Sequence, residues 1–236
     1  MPGDSGGSGS SLTPSWVRFP LPCLMVVSDR ALAAVPAGRQ GGEDGLVALV
    51  EAAVGAGADA VQLREKDLAD RELLTLARRL RAVTRERALL VVNGPPAVAE
   101  AAGADGVHLP EGAPMPTRPR PDFLVGRSVH SVEAARRAEA EGADYLIAGP
   151  VYETLSHPGV APAGVALIED VAAAVCPPVL AIGGVTAERV GEVVRAGASG
   201  VAVISAVLGQ PDPGAAAGAL RRALDSAWAA TGAVRR

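Results

Sequence analysis

The phrase GAGADAVQL, Gly55–Leu63, decides how this chain folds, because close variants of it recur: AAGADGVHL at Ala101–Leu109, AEGADYLIAG at Ala140–Gly149 and RAGASGVAVI at Arg195–Ile204. Each follows an Ala-rich stretch of helical period and opens an apolar run. Gly57, Gly103, Gly142 and Gly197 fall just past the helix end, where a left-handed backbone is needed and glycine adopts it at little cost. The β-branched and aliphatic residues that follow suit a strand buried on both faces. Each phrase therefore reads as a helix-to-strand turn. Asp59, Asp105 and Asp144 open their strands at the end remote from any site, so they read as structural.

Extending this unit along the chain places strands near 23–28, 60–65, 88–92, 105–109, 123–128, 144–149, 178–182 and 200–204. Helices fall near 44–55, 70–85, 95–102, 131–141, 165–175, 186–196 and 213–229. Asp70, Ser131 and Thr186 are expected N-caps. The segment PEGAPMPTRPRP, Pro110–Pro121, carries too much proline for a helix. Alternating strands and helices in this number predict a single-domain α/β chain, a (β/α)8 TIM barrel over 21–230. A doubly wound open sheet is the alternative, and no Gly-rich fingerprint follows strand one to support it. Residues 1–20, rich in Gly, Ser and Pro, read as a disordered leader, and 231–236 as a frayed tail.

Composition narrows the function classes. A net charge of −4 and a pI near 5.5 argue against nucleic-acid binding, which needs a basic face. No apolar run reaches the roughly 20 residues that span a bilayer, and no signal peptide is legible. Cys23 and Cys176 form neither a disulfide framework nor a metal spacing, which suits a reducing cytoplasm; both sit at or beside strands and are expected to be buried. A homo-oligomer is compatible with the pattern, because barrel helices carry apolar stripes with or without a partner subunit.

In a barrel the C-terminal ends of the strands share one mouth. Strand two ends in QLREK, and the alternation of Gln62, Arg64 and Lys66 projects all three to one side. Two cations there suit a phosphorylated ligand, Arg as a fork and Lys as a point charge. Strand three contributes Asn93, with Gly94 leaving space. Strand seven ends in AIGGVT and strand eight in VISAV. Gly183, Gly184, Ser205 and Ala206 thus form a candidate phosphate cradle of backbone N–H groups. The connection after strand six, Gly149–Gly164, exceeds the usual two to six residues and reads as a binding loop bearing Glu153, Thr154, Ser156 and His157. In GRSVHS, Gly126–Ser131, Ser128 and His130 share parity and face the mouth. His130 is either a proton-transfer group or a polar residue at a strand-to-helix junction. His108, inside strand four, reads as a residue packed in the core or supporting the site from behind.

Taken in order, QLREK, VVNG, GVHLPEG, GRSVHS, GADYLIAGPVYET, AIGGVT and GVAVISAV resemble the thiamine phosphate synthase superfamily over about residues 22 to 228. That resemblance implies one of two activities. The synthase joins a pyrimidine pyrophosphate to a thiazole phosphate with Mg²⁺, which it holds on aspartates of an Asn-Asp pair after strand three and a Gln-x-Asp after strand four. The thiazole tautomerase isomerises a carboxythiazole phosphate to its aromatic form without metal. Here the two positions read Asn93-Gly94 and Pro110-Glu111-Gly112, and Gly-Arg-Ser-Val-His-Ser is a tautomerase pattern whose histidine falls on His130. Lys66, in contrast, is the synthase residue. The expectation is a cytoplasmic thiazole tautomerase with His130 as acid/base, Arg64 on the substrate carboxylate, and no metal or cofactor. The alternatives are an Mg-dependent thiamine phosphate synthase and a non-catalytic regulator that binds a thiazole or thiamine phosphate.

Overall fold

The computed structural model describes residues 19–32, 42–154, 159 and 161–233. Its eight strands are β1 (Cys23–Val27), β2 (Ala60–Leu63), β3 (Leu89–Val92), β4 (Gly106–Leu109), β5 (Leu124–Val129), β6 (Tyr145–Ala148), β7 (Val179–Ile182) and β8 (Gly200–Val203). They pair in sequence order, all parallel, and β8 returns to β1 through Cys23↔Gly200 to Val26↔Val203, closing the barrel. The expected single (β/α)8 domain is the fold. Around it lie α1 (Gly42–Gly55), α2 (Asp70–Thr84), α3 (Pro96–Ala101), α4 (Val132–Ala140), α5 (Gly164–Ala174), α6 (Val190–Arg195), α7 (Ser205–Leu208) and α8 (Pro213–Ala230).

Strand parity divides the apolar residues into two cores. One face of each strand packs on the helices, as with Leu24, Val61, Leu90, Val107, Val125 and Leu146. The other fills the barrel interior with Met25, Ala60, Val91, Leu124, Tyr145, Leu180 and Ala202. Phe19 plugs the interior from below, its ring stacked on Tyr145 at 4.6 Å. It is 2 % exposed, although the sequence reading places it inside the leader. The remainder of that leader, residues 1–18, lies outside the described residues, as do tail residues 234–236.

The recurring aspartates close the bottom of the barrel by one repeated device. Asp59 accepts from the Leu24 N–H at 2.8 Å and from Arg221. Asp105 accepts from the Leu90 N–H at 2.7 Å and from Arg81 at 2.7 Å. Asp144 accepts from the Val125 N–H at 2.6 Å and from Arg118 at 2.6 Å. In each case a carboxylate at the start of one strand satisfies a donor on the preceding strand. The structural reading of the three residues holds.

Several sequence expectations need correction. The N-cap of α2 is Ala69, not Asp70; the Glu72 carboxylate instead reaches back to the Ala69 N–H at 3.1 Å. Thr186 does not begin a helix directly. Its carbonyl accepts from the N–H groups of Arg189 and Val190, so a tight turn precedes α6, which starts at Val190. Ser131 does cap α4, accepting from the Ala134 N–H at 3.1 Å. The one-turn α7 was not anticipated. Cys23 is buried as expected, but Cys176 is exposed, because it lies in the α5–β7 connection ahead of the strand. The proline-rich segment between β4 and β5 carries no helix. Arginines tie it down instead: Arg118 donates to the Gly142 carbonyl at 2.6 Å, and Arg120 to the Ala104 carbonyl at 2.7 Å. No helix among the described residues is long and apolar enough to cross a membrane.

Candidate active site

The C-terminal ends of the strands open onto a cavity of about 780 Å³. Gln62, Arg64, Lys66, Asn93, Ser128, His130, Thr154, Gly183, Gly184, Ser205 and Ala206 all line it. Residues at the ends of six strands thus meet in one place, those of β2 and β5 as strand parity predicts. Glu153 does not line the cavity; it is exposed, and its backbone carbonyl packs behind Gly184. Ser156 and His157 lie outside the described residues.

On β2 the side chains run from Gln62, buried at 2 %, through half-buried Arg64 to exposed Lys66. The strand end is held from behind. Ser28 accepts from the Arg64 N–H at 2.8 Å and donates to Glu65 at 2.6 Å. Glu65 therefore faces away from the two cations and does not neutralise them. Its burial raises its carboxyl above the ordinary carboxylate range, against the opposing pull of the Ser28 hydrogen bond.

Gly183 and Gly184 have φ of +98° and +63°, and both are crowded. A Cβ on Gly183 would lie 2.7 Å from Pro150 Cβ, and one on Gly184 would lie 2.5 Å from the Glu153 carbonyl oxygen. The crowding arises because the segment after β6 runs along this turn: Val151 and Tyr152 donate to the carbonyls of Ile182 and Gly183 at 2.8 and 3.0 Å. Arg189 closes the turn from the other side, donating to the Gly184 carbonyl at 2.8 Å while its guanidinium lies over the Tyr152 ring. Ser205 and Ala206 open α7, and the first N–H groups of a helix have no intrahelical partner.

His130 lies just past β5, with its side chain 60 % exposed. Its Nδ1 is 2.8 Å from Glu111 Oε2, which also accepts from the His130 N–H at 3.1 Å. Arg137 approaches the other Glu111 oxygen at 3.6 Å. Glu111 was not assigned a role from the sequence; a carboxylate in a proline-rich loop carries no local signal of a partner 19 residues away. Arg127 was missed for the same reason. Its parity sends it outward, where it is 2 % exposed, and it donates to the carbonyls of Pro110 and Ala113 on either side of Glu111 and to Glu141 at 2.9 Å. It fixes the loop that carries Glu111.

His108 is buried as expected, yet it borders the cavity. Its pKa is lowered to about 3, first by burial and then by the nearby Arg127 and Arg64 charges, so the ring is neutral. Its Nε2 lies 2.9 Å from Ser128 Oγ, and its Nδ1 lies 3.2 Å from the Tyr145 hydroxyl.

Whether these residues suit a metal can be asked of the donors present. Mg²⁺ is held through one or two carboxylates together with substrate phosphates. Among the described residues that line the cavity, Glu111 is the one carboxylate, and His130 and Arg137 engage its oxygens. Gly94 offers no side chain, and a Cβ there would lie 2.8 Å from Leu73 Cδ2. The described residues contain no group of three or more His, Cys, Asp or Glu placed to hold a metal ion. This donor set does not fit a resident Mg²⁺.

A family model described as "Thiamine monophosphate synthase" matches residues 32–207. A thiamine-phosphate synthase from Methanoculleus marisnigri is 48 % identical over 188 residues, covering 77 % of this chain and 89 % of that protein. One from Anaeromyxobacter dehalogenans is 44 % identical over 215 residues, covering 85 % and 97 %. Among solved structures, a thiamine phosphate pyrophosphorylase from Pyrococcus furiosus superposes with a TM-score of 0.74 at 36 % identity, covering 87 % of this chain and 96 % of that one. These relatives carry the names synthase and pyrophosphorylase, not that of the isomerase expected from the sequence. A closed barrel, a mouth lined by the residues that the motifs single out, and relatives matched over most of their length lead to one conclusion: the chain belongs to the thiamine monophosphate synthase family.

Proposed function

We propose that the cavity joins a thiazole phosphate to a pyrimidine diphosphate, releasing diphosphate and forming thiamine phosphate. The observation that carries this reading is that two separate groups of residues whose donors suit an anion line the rim. Arg64 and Lys66 stand at the end of β2; Gly183, Gly184, Ser205 and Ala206 stand at the ends of β7 and β8, with β1 between the two groups. A coupling of two phosphorylated substrates needs two such places. In this reading the backbone N–H groups at β7 and β8 take the thiazole phosphate, where a helix start favours negative charge. The two cations take the diphosphate, whose departure they favour by stabilising its developing charge. Asn93 and Ser128 orient the rings between them. The names of the relatives support this reading, as does Lys66. No step is assigned to a metal, because the donors do not fit one.

A second reading rests on a specific observation. Glu111 grips His130 at the mouth, and Gly94 stands where the synthases' pattern carries an aspartate. Both features favour a thiazole tautomerase. In that enzyme His130 would move the proton of a carboxythiazole phosphate, and Arg64 would hold the carboxylate. Both reactions share the phosphate cradle. Purified protein assayed for coupling and for isomerisation, each with added Mg²⁺ and with chelator, separates them. Formation of thiamine phosphate supports the transferase. Isomerisation without coupling overturns it in favour of the second reading.

A further inference from the structure

Ser128 stands at the cavity end of a buried chain of polar groups that crosses the barrel interior. Its hydroxyl contacts His108 Nε2 at 2.9 Å, and His108 Nδ1 contacts the Tyr145 hydroxyl at 3.2 Å. His108 is 2 % exposed and Tyr145 fully buried. The Tyr145 ring stacks on Phe19 and occupies the space where a Cβ on Gly126 would be. Held in this way, the phenol is fully buried.

Protons can be arranged along this chain in two directions. The imidazole is neutral, so it carries one N–H. If Ser128 donates to Nε2, the N–H sits on Nδ1 and points at the Tyr145 oxygen. The phenolic proton then has no acceptor among the described residues, and a buried donor without a partner is costly. If Tyr145 donates to Nδ1, the N–H sits on Nε2 and donates to Ser128 Oγ. The serine proton then turns toward the cavity, where a ligand or water accepts it. Only the second direction leaves no buried proton unpaired.

We infer that His108 and Tyr145 are positioning residues that polarise Ser128 into a hydrogen-bond donor, so that the cavity selects a ligand presenting a lone-pair acceptor, a ring nitrogen or carboxylate oxygen, at that point. The inference rests on the cavity being the ligand site and is independent of which of the two reactions occurs there.

The first test needs no activity. In the full-length protein, ¹⁵N-detected NMR of the His108 ring is expected to show the Nε2–H tautomer from about pH 5 to 8. An Nδ1–H tautomer or a charged imidazolium in that range would overturn the inference. Tyr145→Phe removes the phenolic donor and is expected to convert the ring to a tautomer mixture; an unchanged pure Nε2–H signal would show that Tyr145 does not set the direction. The second test uses thiamine phosphate as the probe, by calorimetry. His108→Leu deprives Ser128 of its donor and is expected to weaken binding about three- to tenfold, the scale of one hydrogen bond. His108→Gln places an amide N–H near the position of Nε2 and is expected to restore binding to within about twofold. Equal loss in both variants means that the ring only packs, and the inference fails. If wild-type protein does not bind thiamine phosphate, the proposed function fails, and the tautomer measurement alone decides the inference.

Discussion

Replacing Gly184 with alanine tests the cradle at its tightest point. Two costs are readable from the structure. Gly184 has φ +63°, and a left-handed backbone costs an L-residue about 1–2 kcal/mol. The new Cβ would lie 2.5 Å from the Glu153 carbonyl oxygen and 2.8 Å from Tyr152 Cβ, and overpacking of this kind costs about 1–3 kcal/mol. The total is about 2–5 kcal/mol, and a chain of this size loses roughly 2–4 °C of Tm per kcal/mol, so a fall of about 4–20 °C is expected. Gly103→Ala is the matched control. It has φ +66° with nothing within 4 Å of its Cβ position, so it carries the first cost alone. Scanning calorimetry on both variants isolates the contact cost as their difference. To relieve the contact the glycine turn must move, and a shift of about 1 Å in a positioning element costs on the order of 100-fold in rate. Gly184→Ala should therefore also lose turnover and affinity for the thiazole phosphate, while Gly103→Ala should keep both. If Gly184→Ala melts with Gly103→Ala and binds the phosphate normally, the cradle is not at this turn.

Three further outcomes are expected. His130→Asn should lower any isomerisation of carboxythiazole phosphate by about 10²–10⁴-fold while leaving coupling within about threefold; a loss of coupling of the same size would give His130 a role in the transferase that the proposed reading lacks. Acid stability should depend on His108. Its folded pKa of about 3 lies below the ordinary 6.5, so the unfolded chain takes up a proton first, and stability falls as pH drops from 6.5 toward 3, by at most about 1.4 kcal/mol per pH unit for this one group. Urea titrations of His108→Gln should show a flatter acid limb, and an unchanged slope would mean that the wild-type ring is not held neutral. Asp105→Ala removes the charged acceptor of the Leu90 N–H and of Arg81 at the barrel bottom. It should cost about 1.5–3 kcal/mol of stability with kcat unaltered, and a kinetic defect larger than the stability loss would contradict a purely structural clip.

The sequence by itself determined the architecture and the rim. Helix, glycine turn and strand recur in a pattern that fits a barrel or a doubly wound sheet, the missing Gly-rich fingerprint after strand one favours the barrel, and within each strand alternation of side chains is a local property of the backbone. Gln62, Arg64, Asn93 and Ser128 could thus be placed at the mouth before any coordinates were known. Even the role of the strand-opening aspartates followed from position alone. What local pattern does not encode is which residues of different strands meet. The grip of Glu111 on His130, the support of that loop by Arg127, and the Tyr145–His108–Ser128 chain each join separate segments. They depend on barrel register and on the volume left by Gly126. Cys176 and Asp70 were misplaced for the converse reason: at the edge of an element, the path of the connecting loop decides exposure and capping. The sequence named residues that line the cavity; which of them meet one another, as Ser128 meets His108, is decided by the packing of neighbouring strands.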